Sequence, residues 1–203
     1  MQNPDHPHPV TPQRNICVYC GSSGQVAEFY KQAAIRLGEI LGQNDRTLIY
    51  GGGNVGLMGL VANATLQHGG QAVGIIPGHI ESREISNTNL TELHVVGSMH
   101  ERKWMMVDRA DAFVVLPGGL GTLDEFFEVM TWRQLGLHDK PIVVVNVGGY
   151  WTALIRLIDV MVKEGFVRPA DREGLAVVDS VEEVLAVIDH APEEDFDPKT
   201  HQM

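Results

Sequence analysis

The stretch Pro117-Gly118-Gly119-Leu120-Gly121-Thr122 is the part of this sequence best suited to chemistry. Glycines that run into a helix start leave backbone N–H groups available and add the positive end of the helix dipole, a combination that holds phosphate. Gly118, Gly119 and Gly121 let the backbone approach an anion, and Thr122 reads as a helix cap that also offers a hydroxyl. A plain strand-to-helix turn needs only one or two glycines. Glu125 lies three residues further on, and Thr122-x-x-Glu125 is a capping box that requires no catalytic role. A carboxylate in the first turn beside a phosphate loop can also activate water or stabilise a cationic sugar centre. Both readings of Glu125 stand on the sequence.

Other loops repeat the theme. Gly21-Ser22-Ser23-Gly24 and Gly51-Gly52-Gly53-Asn54-Val55-Gly56 each follow an apolar run, and Pro77-Gly78 follows a third. Gly51-x-Gly53-x-x-Gly56 matches a dinucleotide fingerprint, but the strand that should end in a ribose-binding acid ends Ile75-Ile76-Pro77-Gly78. A nicotinamide cofactor is thereby disfavoured. No Lys followed by Ser or Thr closes either glycine segment, which excludes a Walker loop.

Among charged residues, Ser98-x-x-Glu101 is a capping box that places Arg102 and Lys103 in the first two turns of a helix, where cations oppose the dipole. They call for an anionic ligand, or form a solvated pair offset by Glu101 and Glu92. Glu84, after Pro77-Gly78, reads either as a crevice acid or as a surface loop acid. Thr131 and Trp132 read as packing on the helix after Thr122. On that helix Phe126, Phe127, Val129, Met130 and Trp132 exceed what one buried face needs, so packing on two sides is expected, the second by another subunit.

These residues need a scaffold that gathers loops. Strand-like runs at Asn15 to Cys20, Thr47 to Tyr50, Ala72 to Ile76, Glu92 to Val96, Ala112 to Leu116, Pro141 to Asn146 and Leu175 to Val178 alternate with amphipathic stretches. The stretches are Glu28 to Leu41, Leu57 to Gln67, His100 to Arg109, Leu123 to Leu135, Trp151 to Lys163 and Val181 to Ile188. The rhythm predicts an α/β fold, a doubly wound, mainly parallel sheet of seven strands, with ligands beyond the carboxyl ends of its strands. A single domain over 14–190 is expected, flanked by a polar, proline-rich tail at 1–13 and an acidic tail at 191–203. His6, His8 and His201 fall in the tails and read as bystanders.

Composition narrows the partners. The 203 residues hold 15 Lys and Arg against 26 Asp and Glu, a formal charge of −11, so a nucleic acid polymer is not an expected ligand. No apolar run approaches the roughly 18 residues of a membrane span, and the opening residues lack the apolar core of a signal peptide. No membrane partner and a cytoplasmic location are expected. Cys17 and Cys20 lie within one apolar run at odd separation, which points them to opposite faces of a strand as buried thiols.

Taken together, Gly52-Gly53-x-x-Gly56-Leu57-Met58-Gly59, Met99-His100-x-Arg102-Lys103 and Pro117-Gly118-Gly119-x-Gly121-Thr122-x-x-Glu125 resemble the Lonely Guy (LOG) family, from about Asn15 to Ile188. The family comprises cytokinin riboside 5'-monophosphate phosphoribohydrolases and is also widely labelled "lysine decarboxylase". The resemblance implies a Rossmann-like homodimer that hydrolyses the N-glycosidic bond of a nucleoside 5'-monophosphate to an adenine-type base and ribose 5-phosphate, without cofactor or metal. It implies Arg102 and Glu125 as the catalytic pair. Substrate contacts are implied at Glu84, Lys103, Thr131 and the run Gly119, Leu120, Gly121, Thr122, Leu123 and Asp124, joined by Gly118 and Ser22. Gly52 and Gly53 belong to the loop that completes the site wall. A non-catalytic nucleotide sensor and an oxidoreductase using the Gly51 loop remain alternatives.

Overall fold

Alternation along the first strand shows how the two layers of the core arise. In β1 (Asn15–Tyr19) and the residue after it, Ile16, Val18 and Cys20 enter one apolar cluster while Cys17 and Tyr19 enter another, the period-2 consequence of a strand covered on both faces. The computed structural model describes residues 15–80, 87 and 89–191. The expected tails therefore lie outside the described residues, apart from Ala191, and so does Glu84.

The remaining strands are β2 (Thr47–Tyr50), β3 (Gln71–Pro77), β4 (Glu92–Val96), β5 (Ala112–Val115), β6 (Ile142–Val145) and β7 (Leu175–Val178). They form one seven-stranded sheet in the order β4-β3-β2-β1-β5-β6-β7. Every pairing is parallel, so the sheet is wholly rather than mainly parallel. One face is covered by α1 (Glu28–Gln43), α2 (Gly56–Gln67) and α7 (Val184–Asp189), the other by α3 (Met99–Arg109), α4 (Leu120–Gln134) and α5 (Thr152–Lys163). Buried Leu37, Leu41, Val61 and Val184 fill the first layer, and Met106, Phe126, Val129 and Ile158 the second.

All seven strands fall where the apolar runs place them, within a residue or two. A short helix, α6 (Pro169–Glu173), was not expected; five residues opened by a proline are too few to show a helical period. The strand order reverses beside β1, whose neighbours are β2 and β5, and that is the switch point at which α/β sheets open a crevice. The glycine loops after β1, β2 and β5 all end there.

Candidate active site

Backbone hydrogen bonds stitch these three loops together. Gly21 N donates to Pro117 O at 3.1 Å, and Leu57 N donates to Gly21 O at 2.9 Å. The loops after β1 and β5, with the first turns of α2, α3 and α4, enclose a cavity of about 440 Å³ whose walls include Gly21, Ser22, Arg102, Gly119, Leu120, Gly121, Thr122, Asp124 and Glu125. The first turn of α4 thus faces the cavity with its free amides. A larger cavity of about 760 Å³ lies at the opposite end of the sheet, near the starts of β6 and β7. Its lining holds Gly174 but no run of glycines like Gly118-Gly119-x-Gly121, so chemistry rather than size marks the candidate site.

The helix start differs from the sequence expectation in a way that bears on Glu125. Gly119, not Thr122, is the N-cap of α4, and no side chain caps it. Thr122 is the third helical residue and is buried, and a Cβ on Gly118 would collide with its Oγ1. The Thr122-x-x-Glu125 capping box is therefore absent. Glu125 is the sixth residue of the helix, in its second turn, and lines the cavity instead.

At α3 the expected cap is present. Ser98 Oγ accepts from Glu101 N at 3.1 Å, while the Glu101 carboxylate accepts from Gly97 N at 2.8 Å, one residue beyond the usual box. This start points Arg102 inward. Its side chain is 5% exposed, and Nη2 donates to Gly51 O at 3.2 Å. Gly51 has no side chain because a Cβ there would overlap that guanidinium. The solvated-pair reading of Arg102 and Lys103 is overturned: Glu92 engages His94 and Arg109 instead. Lys103 bridges to Asp124 at 3.1 Å and Glu128 at 3.0 Å. Burial works against the Lys103 cation, but the Glu128 and Asp124 carboxylates outweigh it and hold the ammonium above its ordinary range.

Not every expected contact reaches the cavity. Lys103, Gly52 and Gly53 do not line it. Thr131 and Leu123 line a neighbouring groove of about 570 Å³ along α4 with Leu120, Phe127 and Trp132, and Thr131 Oγ1 donates to Phe127 O at 2.7 Å. Conversely Cys20, Met58, Ile80 and Met99 line the cavity without having been singled out. Met58 and Met99 sit inside the very motifs quoted above, and their place at two helix starts was the available signal. Burial, reinforced by the Glu125 charge, pushes the Cys20 thiol up, so it stays protonated and is no nucleophile. Cys17 and Cys20 are both free and buried, on opposite faces as expected.

The fold and site together define an open α/β protein of Rossmann type, with a glycine-rich helix start, a buried guanidinium and a carboxylate at its switch point. Comparison with known proteins narrows the class. A family model described as "possible lysine decarboxylase" matches residues 58–188. Cytokinin riboside 5'-monophosphate phosphoribohydrolase LOG1 of Arabidopsis thaliana is 44% identical over 180 residues, which cover 88% of this chain and 84% of that protein. The probable enzyme of the same name, LOGL2 of Oryza sativa subsp. japonica, is 45% identical over 172 residues, covering 85% and 70% respectively. This chain belongs to the LOG family.

Among solved structures, the molybdenum cofactor carrier protein of Chlamydomonas reinhardtii superposes with a TM-score of 0.67 at 19% identity, covering 87% of this chain and 95% of that one. It shares the fold. Pyridoxal chemistry, which the decarboxylase description suggests, needs a Schiff-base lysine. No described lysine lines the cavity, and Lys103 is bound between two carboxylates, so the residues present do not fit that cofactor.

Proposed function

We propose that this protein hydrolyses the N-glycosidic bond of nucleoside 5'-monophosphates, cytokinin riboside monophosphates or AMP, releasing an adenine-type base and ribose 5-phosphate. One juxtaposition supports this above all: the α4 amides, the buried Arg102 and Glu125 share one cavity, in a chain 44% identical to a phosphoribohydrolase.

In this reading the amides of Gly119, Leu120, Gly121 and Thr122 take the 5' phosphate, and Ser22 stands beside them. Anchoring there supplies binding energy remote from the bond that breaks and positions the ribose over the acid. As the C1'–N bond lengthens, positive charge grows on C1' and O4'. Glu125 stabilises that charge and orients a water against C1'. The water's hydroxyl adds to C1', the bond's electron pair leaves with the base, and the water's remaining proton ends on the base nitrogen. Arg102, held by Gly51 O, presents a fixed positive charge to the substrate's anionic groups. Met58, Ile80 and Met99 give the cavity an apolar wall against which a base can lie.

Two copies are proposed to pair through α4. Leu120 is 86% exposed, and Leu123, Phe127 and Leu135 continue its stripe at helical spacing. The net charge of −11 supports small-molecule rather than polymeric nucleic acid partners. No described helix is long and apolar enough to cross a membrane; a cytoplasmic site of action is proposed from the sequence.

Incubation with AMP, isopentenyladenosine monophosphate and adenosine, followed by chromatography for free base, tests the reading. Base should appear from the monophosphates and hardly from adenosine. Tight AMP binding without base release would favour the sensor, and equal release from adenosine would remove the phosphate from the mechanism.

A further inference from the structure

The loop after β6, Asn146-Val147-Gly148-Gly149-Tyr150-Trp151, had no role in the sequence reading, yet it reaches the phosphate loop. Tyr150 Oη donates to Gly118 O at 2.7 Å. The Tyr150 ring meets Tyr30 of α1 edge-on at 5.5 Å and Trp151 at 4.7 Å, and Trp151 N donates to Asn146 Oδ1 at 2.8 Å. The hydroxyl is thus delivered by a braced side chain rather than a loose one.

Gly118 is hemmed in on its other sides. Thr122 occupies the place of its missing side chain, and a Cβ on Gly21 would stand 3.3 Å from Gly118 Cα. Within a trans peptide the C=O and the following N–H point in opposite directions, and the described chain contains no cis bond. A hydrogen bond that draws Gly118 O toward Tyr150 therefore turns Gly119 N–H the other way. Two cavities meet at this peptide. One of about 270 Å³ is lined by Tyr150, Tyr30, Gly118 and Gly119; the other is the site cavity, which Gly119 and Glu125 line and Gly118 and Tyr150 do not.

We infer that Tyr150 is a positioning residue for phosphate: by holding the Gly118 carbonyl on the far side of the loop, it aims the Gly119 N–H into the active-site cavity. The inference rests on the reading of this loop as the phosphate cradle. Tyr150 touches no substrate, so its effect should appear in phosphate affinity and leave the chemical step alone.

Tyr150→Phe removes the hydroxyl and keeps the ring contacts. Calorimetric titration of the parent and the variant with ribose 5-phosphate and with ribose separates the possibilities, alongside KM and kcat for AMP. The variant should bind ribose 5-phosphate about three- to tenfold more weakly, the span expected from one neutral hydrogen bond. Ribose affinity should be unchanged, KM should rise by a similar factor, and kcat should stay within about twofold. If both proteins prefer ribose 5-phosphate over ribose to the same extent, the role of Tyr150 is overturned while the cradle stands. If the parent itself shows no preference for the phosphorylated sugar, the cradle reading fails and takes this inference with it.

Discussion

Replacing Gly51 by alanine is the sharpest test of the site, because it alters no residue assigned to chemistry. Gly51 is not among the glycines with positive φ, so alanine brings no backbone strain. Its Cβ would nevertheless fall on Nη2 of Arg102 and stand 3.0 Å from Cζ. The obstructing atoms are the far end of a long side chain, so the guanidinium swings aside and its bond to Gly51 O is lost. A hydrogen bond from a charged donor is worth about 1.5–3 kcal/mol. If the displaced guanidinium forfeits a contact of that size in the transition state, kcat/KM falls roughly 10- to 150-fold. Water reaching the freed groups returns part of the loss in stability, so the melting temperature should fall by less than about 5 °C. The assay is base release from AMP by Gly51→Ala, Arg102→Ala and the double variant. The double variant should be no slower than Arg102→Ala, since both changes remove one contribution. Parent-like turnover in Gly51→Ala, or additive losses in the double variant, would refute the placement of Arg102.

Glu125→Gln should bind AMP with near-parent affinity and lose most turnover, on the order of a hundredfold or more; normal turnover would take Glu125 out of the mechanism. His138 packs against Phe113, and its ring bonds Val129 O through Nε2 at 3.0 Å. Burial, with the Lys140 and Arg133 cations adding, depresses it from 6.5 to about 4 despite that bond. Between these values the unfolded chain binds more protons, so its contribution is complete above about 6.5 and is lost as pH falls toward 4, by at most about 3 kcal/mol. Melting temperatures should therefore fall less steeply from pH 7 to 4.5 in His138→Phe than in the parent, and parallel profiles would contradict this. Phe127→Asp places a charge in the apolar stripe of α4 and should convert a dimer to a monomer in sedimentation; a monomeric parent would end the pairing proposal.

Much of this protein was legible in its residues. Parallel strands buried on both faces read as short apolar runs, and the seven runs became seven strands, the mostly exposed edge strand β4 among them. The glycine loops, the Ser98 cap and the motifs that resemble those of the LOG family pointed to the candidate cavity, because backbone amides and helix starts are local features written in consecutive residues. Three-dimensional packing decided the rest. Only the close approach of α3 to the loop after β2 shows that Arg102 is buried against Gly51 O, residues 51 positions apart. Only the observed start of α4 at Leu120 frees Glu125 from a capping role, since a run of glycines does not say which of them begins to wind. Met58, Ile80, Met99 and Tyr150 left no periodic signal, for each is a single side chain brought to the switch point from a different segment of the chain. Local order follows from neighbouring residues, whereas a site assembled from several loops exists only once the sheet has set their strands side by side.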